Sequence, residues 1–324
     1  MRKFISYFLI AAAFLLPFAR SVFACDSCGC SLARIPSEGK LNQTEKPIFF
    51  DFTFEQQVWH KRDVQLARAL GDEGHDTHDK TTEEFYHFGL GANFLERFSV
   101  FAELPYIVRH DLNVEPLDPD DPDAVDRLGE KRISQGFGDL SLTGIFKLLK
   151  KGDDFIGPLA GIKFPTGATD NETPQGDKFE PEMQPGSGSF DASMGTIFTY
   201  QVGRMAVHGN AIYTIRTRGA QDFRFGNLFS TYVFVDYLLN PQNKYFQSKV
   251  GIDTSLQNER KQTSRDWRVA DSGGTTLLLG PEFSIRGSDY ISIFGNLLFP
   301  AIQNLGGVHQ HVQFIWNAGI KISF

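Results

Sequence analysis

HQHVQFIWNAGIKISF, residues 309–324, alternates between apolar and polar side chains along most of its length. Taken every second residue, it runs Val312, Phe314, Trp316, Ala318, Ile320, Ile322 and Phe324, all apolar. The intervening set is His311, Gln313, Ile315, Asn317, Gly319, Lys321 and Ser323, of which only Ile315 is a large apolar side chain. Period-two alternation over this length describes a long β-strand with one greasy face and one wet face. An α-helix would place its apolar residues three and four apart instead. The stretch ends on the greasy face, at an aromatic residue.

The rest of the chain has the composition that such strands need. Among 324 residues, 41% are hydrophobic and 22% charged, so one large β-domain is within reach. The 31 Phe and 31 Gly suit close-packed sheets better than a helical core. Mean hydropathy is -0.24, which excludes a bundle of apolar helices. Where only alternate residues meet lipid, average hydropathy stays low.

Residues 1–24 read as a secretory signal peptide. Arg2 and Lys3 form the basic end, Phe4 to Phe18 the apolar run, and Val22 and Ala24 the small-residue pattern before a cut at Ala24–Cys25. Removing Arg2, Lys3 and Arg20 takes the formal charge from -7 to -10. An acidic mature chain argues against a nucleic-acid partner. No other stretch approaches the 18 apolar residues of a spanning helix.

A cysteine-containing leader, residues 25–47, follows and is expected in the periplasm. Alternating segments then occupy 48–59, 84–94, 98–109, 139–149, 155–166, 190–200, 204–216, 227–239, 245–257, 275–285, 290–300 and 311–324. These make twelve strands, an even number, as single-chain bacterial barrels have. The connections sort by length. Leu95–Arg97, Lys150–Asp154, Gln201–Gly203, Asn240–Lys244 and Arg286–Asp289 are short. The runs 60–83, 110–138, 167–189, 217–226 and 258–274 are longer and polar, and 301–310 is modest. Short turns at one end and long loops at the other are the arrangement of outer-membrane barrels. A soluble β-sandwich has no reason to sort its loops this way. The expected fold is all-β: a transmembrane antiparallel up-and-down barrel of about twelve strands, spanning residues 48–324.

Parity assigns the faces. Outward positions include Phe50, Phe52 and Phe54; Tyr86, Phe88 and Leu90; Leu140, Leu142 and Phe146; Thr231, Val233 and Val235; and the even positions of the final strand. Inward positions carry charge of both signs. Glu55, Glu103, Asp139, Lys147, Lys163, Asp191, His208, Lys249, Asp253 and Glu282 are the expected pore-lining residues. Asp51, Thr53, His87, Ser141, Thr143, Asn210, Asp236 and Lys321 share their face. A charge away from water must be paired or line water. Both an open pore and a lumen plugged by salt bridges satisfy that condition.

Two short runs carry a family resemblance. Gly136-Phe137-Gly138-Asp139-Leu140-Ser141-Leu142 opens the fourth segment, and Gly161-Ile162-Lys163-Phe164-Pro165-Thr166-Gly167 closes the fifth. With the terminal strand ending in Phe324, they resemble the outer-membrane β-barrel transporters named after the meta-pathway of phenol degradation. By layout the resemblance covers residues 48–324, and its specific motifs are those two runs and the terminal strand. It implies a barrel in the outer membrane of a Gram-negative bacterium that passes a small, hydrophobic solute. The terminal strand ending in Phe324 further implies recognition by the barrel-assembly machinery. The cysteine-rich start departs from the family pattern.

The three cysteines of the chain, Cys25, Cys28 and Cys30, have three readings. They form a thiolate cluster for a soft metal, a disulfide with one thiol left over, or a leader whose Cys25 bears lipid. In the first long loop His75 and His78 stand among Asp72, Glu73, Asp76 and Asp79, a second place for a divalent ion; a solvated loop tip is the plainer reading. No cofactor is required by the pattern. The acidic, Pro-rich run 118–123 of the second loop offers charge to divalent ions that bridge lipopolysaccharide. Expected partners are outer-membrane lipid and lipopolysaccharide, the assembly machinery and a small-molecule solute.

Enzymatic activity is not expected. The strand histidines His87 and His208 fall on the inward parity, and no Gly-x-Ser-x-Gly run accompanies them. The function class is then a channel or transporter for passive passage of a small solute. The alternative is a closed structural or binding barrel whose cysteine cluster contacts a metal or redox partner.

Overall fold

The computed structural model describes residues 46–61, 80–94, 96–112, 131–243, 245–269, 272–288, 290–305 and 310–324. Twelve antiparallel strands close on themselves. They are β1 (Ile48–Lys61), β2 (Lys80–Phe94), β3 (Phe98–Leu112), a broken β4 (Lys131–Phe137, Ser141–Phe146, Leu149–Lys151), β5 (Asp154–Lys163), β6 (Asp191–Val202), β7 (Met205–Ile215), β8 (Leu228–Leu238), β9 (Phe246–Glu259), β10 (Gly274–Gly287), β11 (Ile291–Leu305) and β12 (Gln310–Ser323). Each pairs with its sequence neighbour, and β12 pairs with β1 to close the barrel. Every short connection lies at the end where Phe49 pairs with Ser323. Closure removes the exposed sheet edges, the condition for a sheet in lipid.

Alternation becomes geometry here. Phe88, Leu90, Phe94, Phe98, Leu142, Phe146, Ile162, Val250, Ile252, Phe283, Ile293 and Phe299 face outward and are exposed. Asp51, Thr53, Glu55, His87, Glu103, Asp236, Asp253, Glu282, Asn317 and Lys321 face inward and are buried. Phe52 with Phe88, and Phe54 with Tyr86 and Trp316, make tilted ring pairs on the outer wall. No helix among the described residues is long and apolar enough to cross a membrane.

The structure corrects the sequence reading in three places. Several strands are longer at the long-loop end: β2 begins at Lys80, β3 reaches Leu112 and the fourth begins at Lys131. Their charged ends resemble loop by composition, yet they continue the inward parity. The fourth strand is broken twice where a single segment, 139–149, was expected. Val312, expected to face outward, faces inward and is 2% exposed. The cause is a β-bulge. Val58 pairs with Phe314 but Trp59 pairs with Val312, so Gln313 is the extra residue that flips parity above it. A second bulge lies between Leu277 and Leu278, opposite Ala301.

Candidate functional site

All ten residues expected to line a pore sit on the interior side of the wall. Nine are buried and Lys249 is half-buried. The proposed metal ligands Cys25, Cys28, Cys30, His75 and His78 lie outside the described residues. Among the described residues no group of three or more His, Cys, Asp or Glu is disposed to hold a metal ion.

The interior is most constrained where the two quoted motifs meet. The break in β4 leaves Gly138 and Asp139 out of the ladder, and the Gly138 N–H donates to the Pro105 carbonyl at 2.8 Å. Freed from the sheet, Asp139 becomes an anchor. Its carboxylate accepts from the Gly167 N–H at 2.9 Å, the Ser187 N–H at 3.0 Å and the Ser187 hydroxyl at 2.5 Å. Lys163 Nζ lies 2.6 Å from Asp139 and 3.0 Å from Asp191, all three side chains being buried. One lysine between two carboxylates, with backbone donors on the remaining lone pairs, is the arrangement in which buried charge is tolerated.

These bonds fasten the long connection 164–190. Gly167 and Gly186 approach so closely that a Cβ on Gly167 would stand 2.6 Å from the Gly186 Cα. That contact accounts for the glycine ending the Pro-Thr-Gly run. From there the connection packs Phe179, Met183 and Gln184 into buried positions. Arg109 of β3 donates through Nη1 to the Gln184 carbonyl at 2.8 Å, while its Nε lies 2.5 Å from Glu83 of β2. The side chain of Gln184 donates to the Asn171 and Phe179 carbonyls at 3.0 and 3.1 Å and accepts from the Asn171 N–H at 3.0 Å. Arg132 with Asp111 at 2.7 Å and Arg216 with Glu259 at 2.9 Å complete a series of ion pairs around the long-loop end.

Mid-barrel, the interior is polar and linked. His87 is 3.2 Å from Glu103. The ring nitrogens of His208 stand 3.1 Å from the Thr199 hydroxyl and 3.1 Å from Asp236, which also meets Lys249 at 3.1 Å. Asn296 donates to Asp253 and accepts from Asn317 at 2.6 Å. Toward the short-turn end, Phe49, Phe101, Ile145, Phe155, Leu159, Ile197 and Ile212 form a buried apolar cluster, with Lys321 Nζ 4.3 Å from the centre of the Phe49 ring. A cavity of about 170 Å³ opens there, lined by Thr199, Arg204, His208, Asp236, Lys249 and Arg286 among others.

Sequence reasoning missed Glu83, Asp111, Arg132, Arg216 and Glu259 as interior groups, and missed what Arg109 holds. The signal was present for the strand ends: Glu83 continues the parity of Phe85 and His87, and Asp111 that of Arg109 and Ile107. Nothing in the local sequence marks Gln184 and Ser187, because their partners lie 75 and 48 residues away.

No family model and no curated protein matches this chain. Among solved structures, it is similar to the COG4313 outer membrane channel from Pseudomonas putida F1, with a TM-score of 0.61 at 15% identity over 86% of this chain and 96% of that one. It is also similar to the beta domain of the Bordetella autotransporter BrkA, with a TM-score of 0.51 at 9% identity over 86% and 100% of the two chains. At these identities the likeness concerns the fold: a closed β-barrel of the outer-membrane kind.

Proposed function

We propose that this protein is an outer-membrane channel for passive passage of a small solute, with connection 164–190 as its constriction. The observation that carries the reading is the polar, two-signed interior. Interior charges need partners or water, and a water-lined path supplies the water. A path for solute uses them, because rings of charge set selectivity. The likeness to a solved outer membrane channel supports the same reading. Glu55, Glu103, Asp139, Lys147, Lys163, Asp191, His208, Lys249, Asp253 and Glu282 are its lining groups. The solute is small and hydrophobic, and no chemistry is done on it. Lipid and lipopolysaccharide surround the wall, and Phe324 belongs to the strand offered to the assembly machinery. A divalent ion, if bound, belongs to Cys25, Cys28 and Cys30 or to His75 and His78.

One observation favours a second reading, a closed binding barrel: the interior charges are buried and held in pairs. Single-channel conductance in a planar bilayer separates the two. The purified, refolded protein, its barrel verified by heat-modifiable gel mobility, is expected to give discrete steps. Glu103→Lys and Lys163→Glu are then expected to shift ion selectivity in opposite directions. A folded barrel with no steps would leave the closed reading standing.

A further inference from the structure

The cavity of about 170 Å³ at the short-turn end is walled largely by polar and charged side chains of β6 to β10. Register sets them side by side. Asp236 of β8 is opposite Ala206 of β7, Leu238 is opposite Lys249 of β9, and Gln247 is opposite Arg286 of β10. Arg204 lines the same space from the turn between β6 and β7. The volume is several times what one water needs and below that of pockets for drug-sized ligands, so a small molecule fits.

The charges around it do not cancel. Arg204, Lys249 and Arg286 supply three cations, and Asp153 and Asp236 two carboxylates. Asp236 is already engaged: His208 Nε2 and Lys249 Nζ each stand 3.1 Å from it. Asp153 is exposed on the turn before β5. Arg286 donates through Nη2 to Gln247, a neutral amide. Arg204 is exposed, and among the described residues its guanidinium makes no hydrogen bond or ion pair. A further cation lies close by. Phe155 is opposite Thr199, which lines the cavity, and Lys147 Nζ stands 5.8 Å from the centre of the Phe155 ring. Lys147 is 7% exposed, and among the described residues no carboxylate lies within ion-pair distance of it. A cation withdrawn from water calls for a partner of opposite charge, and a ring face is a weak one.

We propose that this cavity binds a small organic monoanion, a carboxylate carrying a short apolar body. A guanidinium presents parallel N–H donors that match the two oxygens of a carboxylate. Arg204 and Arg286 are the groups that take it, and the one cation in excess suits one negative charge. The apolar body is met by Ala206 and Leu238, which also line the space. Inorganic phosphate would satisfy the arginines but leave that apolar wall uncovered. The site stands whether or not the lumen is open. That its ligand is the solute of the channel rests on the channel reading above, and it narrows the class of that solute.

The test uses the purified, refolded full chain in deuterated detergent, with sodium butyrate as the probe and saturation-transfer NMR as the measure of binding. Butyrate is expected to bind and its neutral isostere butyramide is not. Arg204→Gln with Arg286→Gln is expected to weaken butyrate binding about tenfold or more, the effect of losing a charge-assisted hydrogen bond. Arg218→Gln, at the long-loop end, is expected to leave it unchanged. Heat-modifiable mobility confirms that each variant is folded. Should the double variant fail that check, Arg204→Gln alone, on an exposed turn, is expected to weaken binding about threefold, less because water screens the group. Equal binding of butyramide, or unchanged binding in the arginine variants, would overturn the site. Phosphate displacing butyrate at equal concentration would make it an inorganic-anion site and overturn the carboxylate class. Conductance of the same preparation in a planar bilayer keeps the two readings apart. Discrete steps without butyrate binding would overturn the site and leave the channel standing. Butyrate binding without steps would uphold the site and remove the channel reading.

Discussion

Two sectors of the same wall solve the same problem in opposite ways. Around β2–β6 the interior is closed by ions: Lys163 between Asp139 and Asp191, and Arg109 joining Glu83 to the backbone of Gln184. Around β10–β12 and β1 it is filled by Trp59, Leu278, Leu298, Val312 and Ile315, with the Gln303 side chain bonded to the Val312 backbone. The ionic sector carries a whole connection, 164–190, fastened by paired charges whose separation is costly. In the apolar sector the Gln303 amide bonds both backbone groups of Val312 across β11 and β12. Buried pairs are weak as net stabilisers but expensive to break by removing one member. The ionic sector is therefore the one in which losing a single side chain is expected to cost most.

That contrast can be broken first at its strongest point. Lys163→Met leaves Asp139 and Asp191 facing each other without their shared cation. A loss of about 3–5 kcal/mol is expected, read as a lower urea midpoint for the heat-modifiable band. Arg109→Met strands Glu83 in the same way and frees Gln184, so a comparable loss is expected together with larger conductance steps. A normal midpoint for both variants would mean that the ion pairs are not what holds 164–190. Next comes Gly167→Ala, which pushes a methyl into the Gly186 and Gly138 backbone. Overpacking of this kind costs about 1–3 kcal/mol, and the same urea series measures it. Leu298→Ala in the apolar sector follows. Its neighbours Trp59, Leu278, Val312 and Ile315 are side chains that can close on the space, so a loss of about 2 kcal/mol, at the low end for such truncations, is expected by the same measurement.

The same contrast marks how far the sequence could be read. Strands were legible because parity is local: Phe50, Phe52 and Phe54 against Asp51, Thr53 and Glu55 needs no partner to interpret. The interior position of Glu103, Asp253 or Lys249 follows from that alternation alone. Val312 was misplaced because Gln313 is a bulge, and a bulge is fixed by the neighbouring strand rather than by its own sequence. The break in β4 looked like ordinary strand, since Asp139 and Leu140 keep the parity. What interrupts it is Asp139's set of bonds to Gly167 and Ser187, which lie 28 and 48 residues on. The motif Gly136–Leu142 and the motif Gly161–Gly167 were visible as separate runs, but their meeting is a fact of the folded wall.

The smallest expected effect tests whether charge as such, or burial, makes the ionic sector costly to break. Arg218 and Asp266 make an ion pair too, between the connections after β7 and β9, where Phe223 and Ser264 also pair. Their side chains are 46% and 79% exposed. Water solvates both partners whether or not they meet, and salt screens them. Arg218→Ala is therefore expected to move the urea midpoint by less than about 1 kcal/mol, and by less still at high salt. An effect as large as that of Lys163→Met would mean that an exposed pair is as costly to break as a buried one. The cost would then follow the number of charges rather than their burial, and the difference between the two sectors would need another cause.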